Sequence, residues 1–126
     1  MKVTVFGGAG FLGSHVCDQL SLQGYDVTIF DIKPNKYLKT NQKMIINNIL
    51  NSEAVIDATK NSDYVYNFAG ISDIDLAKTN PIETIKYNII GNVTILEACK
   101  INKIKRYIYA SSLYVFSDKG SFYRSS

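Results

Sequence analysis

The stretch Val3-Thr4-Val5-Phe6-Gly7-Gly8-Ala9-Gly10-Phe11-Leu12-Gly13 opens the chain and decides its fold. A short β-branched run leads into three regularly spaced glycines, and an apolar segment with helical spacing follows. This order predicts a strand, a tight turn and a helix. Gly7 permits the turn, Gly10 lets backbone approach phosphate oxygens, and Gly13 lets the helix pack on the strand. The helix N-terminus would then face a pyrophosphate. A plain glycine loop is the alternative, but the flanking strand and helix favour a nucleotide site.

The length and composition suit one soluble domain spanning residues 1–126, with 46% apolar residues. The net charge of +3 is small and the lysines are scattered, which argues against a nucleic-acid partner. No signal peptide and no membrane-spanning run is visible. Cys17 and Cys99 lie in apolar helical stretches with no disulfide or metal-site spacing. They predict buried free thiols and a cytoplasmic location.

Strand-like and helix-like segments alternate along the chain. Strands are predicted at 2–6, 26–30, 43–49, 63–68 and 105–110, and helices at 11–22, 52–59 and 81–101. This alternation predicts an α/β fold, a Rossmann-type doubly wound parallel sheet that ends after about five strands. Helical periodicity predicts one buried stripe in the first helix, Leu12, Val16 and Leu20, and an apolar stripe in the last helix, Ile82, Ile85, Ile89, Val93 and Leu96.

Ligands of such sheets bind beyond the carboxyl ends of the strands, where Asp31 follows the second strand. An acidic residue about 20 positions after the glycines is placed to accept hydrogen bonds from the adenosine ribose. Its charge would repel a 2′-phosphate, which favours NAD over NADP. Lys33 could nevertheless reach a phosphate, and a solvated turn residue is the alternative reading of Asp31.

Further candidates follow the later strands. Asn48, with Ile49, could contact the adenine edge or cap the helix at 52–59. Small residues after the fourth strand, in Phe68-Ala69-Gly70, would let backbone approach a cofactor. Asn88 interrupts the last helix, so it either ties that helix to a neighbouring backbone or touches the active site. Asp73 and Asp75 fit a solvated loop or a helix N-cap better than a catalytic pair.

These motifs resemble the extended short-chain dehydrogenase/reductases, in the NAD-dependent epimerase/dehydratase family. The glycine stretch and Asp31 match closely. Asn67-Phe68-Ala69-Gly70 resembles the family segment H-L-A-A, and Tyr87-Asn88-Ile89-Ile90-Gly91-Asn92 resembles V-N-x-x-G-T. The segment from Tyr109 to Ser117 resembles Y-A-S-S-x-x-V-Y-G, which includes Ser111 and Ser112. Tyr123-Arg124-Ser125-Ser126 resembles the first four positions of Y-x-x-x-K.

The resemblance implies roles for these residues. Ser112 and Tyr123 would be catalytic, and Ser111 would lie at the cofactor. Oxidation of a sugar hydroxyl needs a base, and a tyrosine becomes one when a neighbouring lysine and the nicotinamide lower its pKa. The sequence ends one residue before that lysine would occur. The distance of eleven positions between Ser112 and Tyr123 is short for the family, so the sugar is left open.

The resemblance therefore predicts the cofactor-binding N-terminal portion of an NAD-dependent nucleotide-sugar epimerase or dehydratase. We expect residues 1–126 alone to bind cofactor without turnover. The family also implies a homodimer that uses the helix at 81–101. Two alternatives remain: a non-catalytic NAD(P)-binding sensor or regulatory module, and a decayed gene product without a stable fold.

Overall fold

The computed structural model describes residues 1–116, 118 and 121–126. Ser117, which ends the Y-A-S-S-like motif, lies outside the described residues. Within the described part, the strands are β1 (Lys2–Phe6), β2 (Asp26–Asp31), β3 (Gln42–Ile46), β4 (Tyr64–Asn67) and β5 (Arg106–Tyr109). They form one parallel sheet in the order β3-β2-β1-β4-β5. The order reverses between β1 and β4, so the predicted doubly wound Rossmann-type fold is confirmed.

Helices cover both faces of this sheet. They are α1 (Phe11–Leu22), α2 (Ser52–Thr59), α3 (Ile74–Thr79), α4 (Pro81–Ile85), a π-helix (Lys86–Ile90), α5 (Gly91–Ile101) and α6 (Ser121–Ser125), with a 3-10 turn at Leu113–Phe116. On one face α1 packs against alternate strand residues such as Val5 and Ile29. On the other face α2 and α5 pack against Phe6, Phe30 and Val65. The strands are therefore apolar on both sides, as parallel sheets require.

The predicted strand at 43–49 is wrong at its end. The chain leaves β3 after Ile46, where the Asn47 N–H donates to the Asp31 carbonyl. Ile49 then turns into the core between α2 and α5, where it is 6% exposed. Ile49 is buried by contacts with distant helices, and the hydrophobicity of the segment alone cannot distinguish such a buried loop residue from a residue of a longer strand. The fourth and fifth strands are shorter than predicted by one residue at each end.

The helix predicted at 81–101 forms, but with a π-helix between two α-helical parts. The predicted apolar stripe is not its buried face. The buried residues are small or polar as well as apolar, and include Asn88, Gly91, Ile95 and Ala98. The residues of the stripe are 39% to 69% exposed, namely Ile82, Ile85, Ile89, Val93 and Leu96. Periodicity locates an apolar stripe but cannot say what covers it.

The first helix follows its prediction in part. Leu20 is buried, Val16 is half-buried and Leu12 is exposed at the mouth of a cleft. The predicted burial of both thiols is confirmed, since Cys17 and Cys99 are buried and free. Burial raises the pKa of Cys17 to about 12 and that of Cys99 to about 11. Among the described residues, no helix combines the length and the apolarity that crossing a membrane would require.

Candidate dinucleotide-binding site

The glycine turn after β1 is built so that its backbone packs without side chains. Gly7 adopts a φ of +72°, and a Cβ there would lie 2.6 Å from the Ala69 nitrogen. A Cβ on Gly13 would lie 2.2 Å from the Gly7 carbonyl oxygen. Both contacts are with backbone, which cannot move aside. At Gly10 the nearest such contact is 3.3 Å, with the Gly7 carbonyl oxygen, so a Cβ would be less crowded here than at Gly7 or Gly13, and Gly10 lines the cleft.

The turn delivers the N-terminus of α1 into the cleft. Gly10 is the N-cap residue, and within the described chain no side chain caps this end of the helix. The first turn, Phe11-Leu12-Gly13, carries no acidic residue. Its N–H groups and the positive end of the helix dipole are therefore available to an anion. These unpaired N–H groups at a helix N-terminus are the donors that the pyrophosphate of a dinucleotide would need.

Asp31 ends β2 beside this turn. One of its carboxylate oxygens accepts a hydrogen bond from the Ala9 N–H at 3.0 Å, and the other accepts from the Lys33 N–H at 3.1 Å. A carboxylate has about four acceptor positions, so two remain for ribose hydroxyls. Lys33 is exposed and lies on the same rim of the cleft.

Asn67, at the end of β4, holds the wall of the cleft opposite Asp31 in place through its hydrogen bonds. It is 1% exposed, and its carboxamide oxygen accepts the Ala69 N–H at 2.9 Å. Its nitrogen donates to the Tyr107 hydroxyl at 2.9 Å and to Asn92 at 3.1 Å. Tyr107 also donates to Asn92. Burial raises the pKa of Tyr107 to about 12, which keeps this hydroxyl protonated. The network holds the Phe68-Ala69 backbone against Gly7.

Asn88 binds the next segment of this wall. Its carboxamide accepts the Ile71 N–H at 2.7 Å and donates to the Ile71 carbonyl at 3.0 Å. It also donates to the Ser126 hydroxyl at 3.0 Å. Gly70 has a φ of +156°, and a Cβ there would lie 2.8 Å from the Asn88 oxygen. Asn88 therefore ties its helix to a neighbouring backbone and also lines the cleft, which joins the two predicted alternatives.

Asn48 lies on the adenine side of the predicted site. It does not cap α2, since that role belongs to Asn51, which accepts the Ala54 N–H at 3.2 Å. The Asn48 oxygen accepts the Leu50 N–H at 2.9 Å, and its nitrogen donates to the Tyr87 hydroxyl at 3.2 Å. This contact joins the loop after β3 to the π-helix across the edge of the cleft.

The residues that the resemblance assigns to catalysis lie at the far end. The Ser112 hydroxyl accepts the Tyr114 N–H at 3.3 Å. Tyr123 is half-buried on α6, and its ring meets that of Tyr114 edge-on at 6.2 Å. Burial raises the pKa of nearby Tyr109, with a smaller contribution from Tyr123. The Asp73 carboxylate caps α3, because it accepts hydrogen bonds from the Asp75 and Leu76 N–H groups, as predicted for an N-cap.

One cleft of about 790 Å³ receives every predicted site residue. These are Gly7, Gly10, Phe11, Leu12, Gly13, Asp31, Asn48, Ile49, Phe68, Ala69, Gly70, Asn88, Ser111, Ser112 and Tyr123. Their roles in binding and catalysis remain predictions, but their juxtaposition is a structural fact. The volume suits a dinucleotide-sized or drug-sized ligand.

Sequence reasoning missed other residues that line this cleft. They include Asn47, Ser72, Tyr87, Arg124 and Ser126. Tyr87 precedes Asn88 in the motif Tyr87–Asn92, and this position in the motif was the only sequence feature that could have pointed to it. The others occur in loops or at the end of α6, where no periodicity marks a side chain as pointing inward.

A glycine turn at a helix N-terminus, an acid at the end of β2 and a cleft at the switch point define a Rossmann-type dinucleotide-binding domain. Residues 3–125 match the profile of the NAD dependent epimerase/dehydratase family, and the chain belongs to that family. The family prediction is therefore confirmed. The prediction of NAD as the cofactor is confirmed at the level of the family, which is NAD-dependent.

Individual relatives agree with this membership. The chain is 32% identical over 128 residues to the UDP-glucose 4-epimerase uge1 of Schizosaccharomyces pombe, covering 92% of this chain and 36% of that protein. It is 28% identical to a Klebsiella pneumoniae UDP-glucose 4-epimerase, covering 94% of each. The solved structure of MoeE5 with UDP-glucose and NAD superposes with a TM-score of 0.85 at 29% identity, covering 93% of this chain and 38% of that one. The chain thus spans under two fifths of two of these proteins.

Proposed function

We propose that this chain is the cofactor-binding portion of an NAD-dependent nucleotide-sugar epimerase or dehydratase. The observation that carries the proposal is the convergence of the glycine turn, Asp31 and the Ser112–Tyr123 end on one cleft. Relatives named as UDP-glucose 4-epimerases, and MoeE5 solved with UDP-glucose and NAD, support a nucleotide sugar as the substrate class. The sugar itself and the outcome, epimerisation or dehydration, stay open.

Different residues of the chain would bind different parts of the cofactor. Gly10 and the first turn of α1 would hold the pyrophosphate, and Asp31 would accept the adenosine ribose hydroxyls. Asn48 and Ile49 would lie at the adenine. Phe68, Ala69, Gly70, Asn88 and Ser111 would line the path toward the nicotinamide. When bound, NAD would accept a hydride from a carbon atom of the sugar.

Tyr123 and Ser112 would act on the substrate hydroxyl. Ser112 would hydrogen-bond the reacting oxygen and orient it toward the Tyr123 hydroxyl. Tyr123 would take the proton as the general base. In the family motif that Tyr123 resembles, a lysine four positions later assists this step. We propose that residues 1–126 on their own bind NAD but turn over no sugar nucleotide.

Two measurements test this proposal. Calorimetric titration of the 126-residue chain should give saturable binding of NAD, and tighter binding of NAD than of NADP. Incubation with NAD and UDP-glucose should give neither NADH absorbance nor UDP-galactose. Failure to bind NAD would remove the proposed function. Steady turnover by these residues would contradict the part that concerns activity.

The exposed helical stripe supports a second copy of the chain as a partner. Ile85, Ile89, Val93 and Leu96 follow one another along successive helical turns, and each is at least 39% exposed. An apolar row of this length indicates an interaction surface. We propose that two chains pair through it.

A reducing, cytoplasmic location is also proposed, supported by the free thiols of Cys17 and Cys99.

A sensor or regulatory module that binds NAD(P) remains the second candidate. It would use the same turn and Asp31 without the Ser112–Tyr123 chemistry. Measuring NAD affinity cannot separate it from the enzyme. A protein that carries these residues together with a lysine at the fourth position after Tyr123, and that loses turnover on Tyr123→Phe, would exclude the sensor.

A further inference from the structure

Tyr87 stands outside every role assigned so far, although its hydroxyl reaches into the cleft region. It belongs to the π-helix and is half-buried against the core formed by α2 and α5. Its hydroxyl accepts a hydrogen bond from the Asn48 carboxamide nitrogen at 3.2 Å. We infer that Tyr87 is a positioning residue that fixes the Asn48 carboxamide for reading the adenine of the cofactor, which rests on the proposed function.

The orientation of the carboxamide is set by two neighbours of opposite character. The Leu50 backbone N–H can only donate, so the group facing it at 2.9 Å must be the Asn48 oxygen. The nitrogen therefore faces Tyr87, whose hydroxyl can accept. Turning the carboxamide over would set an NH₂ group against the Leu50 N–H. The pair thus permits one orientation and disfavours the other.

After these two bonds, Asn48 retains one acceptor site on its oxygen and one N–H on its nitrogen. An adenine edge offers the complementary pair, an amino N–H beside a ring-nitrogen acceptor, and asparagine is the side chain that matches this pair. A hypoxanthine edge carries a carbonyl oxygen in place of the amino group. It therefore cannot satisfy the free oxygen of a carboxamide held in this orientation.

The surrounding backbone keeps both partners in place. Gly91 lies four residues after Tyr87, and a Cβ there would lie 2.4 Å from the Ile49 side chain. The glycine lets Ile49, at 6% exposure, lie flush against the helix beside Asn48. The wider π turn at Lys86–Ile90 carries Tyr87 and the cleft residue Asn88. Asn48 and Tyr87 are therefore brought together by packing around Ile49 and Gly91.

The test compares NAD with nicotinamide hypoxanthine dinucleotide by calorimetric titration of the 126-residue chain. We expect the parent chain to prefer NAD by about tenfold, the effect of one buried hydrogen bond mismatch. Tyr87→Phe should lower NAD affinity about threefold to tenfold and reduce this preference. Tyr37→Phe, on an exposed loop tyrosine, is the matched control and should change neither quantity.

A double-mutant cycle shows whether Tyr87 acts through Asn48. In the Asn48→Ala background, Tyr87→Phe should change NAD affinity less than twofold. An equal effect of Tyr87→Phe in both backgrounds would overturn the inference, as would an unchanged base preference in Tyr87→Phe. If the parent chain binds neither dinucleotide, the proposed function fails as well. Should Tyr87→Phe fail to fold, persistence of the base preference on Asn48→Ala would still overturn the inference.

Discussion

The carboxylate of Asp31 and the backbone N–H of Ala9 are joined by a hydrogen bond of 3.0 Å, which fastens the glycine turn to the end of β2. The same side chain is therefore a part of the cradle and the proposed ligand of the ribose. A charged acceptor holds a backbone N–H more strongly than a neutral one. Changes at Asp31 should affect both the shape of the phosphate site and the choice between NAD and NADP.

Asp31→Asn should lower NAD affinity about tenfold, because a neutral amide accepts ribose hydrogen bonds more weakly. The preference for NAD over NADP should shrink, since the charge that repels a 2′-phosphate is gone. Calorimetric titration with both dinucleotides measures the ratio. Asp26→Asn, at the exposed start of β2, is the matched control. An unchanged NAD-to-NADP ratio would remove Asp31 from the specificity argument.

Gly13→Ala and Gly10→Ala should separate stability from binding. At position 13 the new methyl group would meet the Gly7 carbonyl oxygen at 2.2 Å, so we expect the free energy of unfolding to fall by about 3 kcal/mol. At position 10 the closest contact of the methyl group, with the Gly7 carbonyl oxygen, is 3.3 Å, a much smaller overlap, and the group would enter the phosphate path. Gly10→Ala should therefore retain most of the stability and lose NAD affinity. Urea denaturation and titration give the two quantities, and equal stability losses would contradict this account.

Alkaline pH should destabilise the fold through its buried thiols. The pKa of Cys17 is about 12 in the folded chain, raised from an ordinary value of 9.0 mainly by burial. The folded state therefore favours the protonated thiol, and its stabilising effect is complete below pH 9 and lost as pH rises toward 12.

The unfolding free energy from urea titrations should thus fall between pH 9 and 11, by at most about 1.4 kcal/mol per pH unit for each such group. Cys17→Ala should give a shallower fall than the parent chain, with Cys99 and Tyr107 contributing the remainder. Identical slopes in the two proteins would mean that Cys17 is not the group that titrates.

Ile89→Asp should convert the proposed dimer to a monomer, because a carboxylate at the centre of the apolar stripe would be buried without a partner. Sedimentation velocity across a range of concentrations gives the mass. Leu22→Asp at the end of α1 is the control, since Leu22 is 78% exposed and lies outside the stripe. A monomeric parent chain at all concentrations would refute the pairing.

The sequence by itself determined the five strands, the three main helices between them, the parallel sheet and the family, but it did not predict the short helices α3 and α6. The predicted features follow from local signals: β-branched runs, glycine spacing, and an acid one strand later. Helix α1, strand β1 and helix α2 have the predicted bounds, because the apolar pattern that predicts each of them lies within the segment itself. The gathering of the candidate residues on one cleft was predictable because the topology brings the carboxyl ends of the strands to one rim.

Tertiary structure alone decided what covers each surface and what orients each side chain. The apolar stripe of the last helix faces outward, because the opposite face packs on the protein through small and polar residues: Gly91 lies against Ile49, and Asn88 bonds the Ile71 backbone. The pairing of Asn48 with Tyr87 joins residues 39 positions apart, and the network of Asn67 spans 40. No local pattern encodes such contacts, because they depend on where distant elements meet.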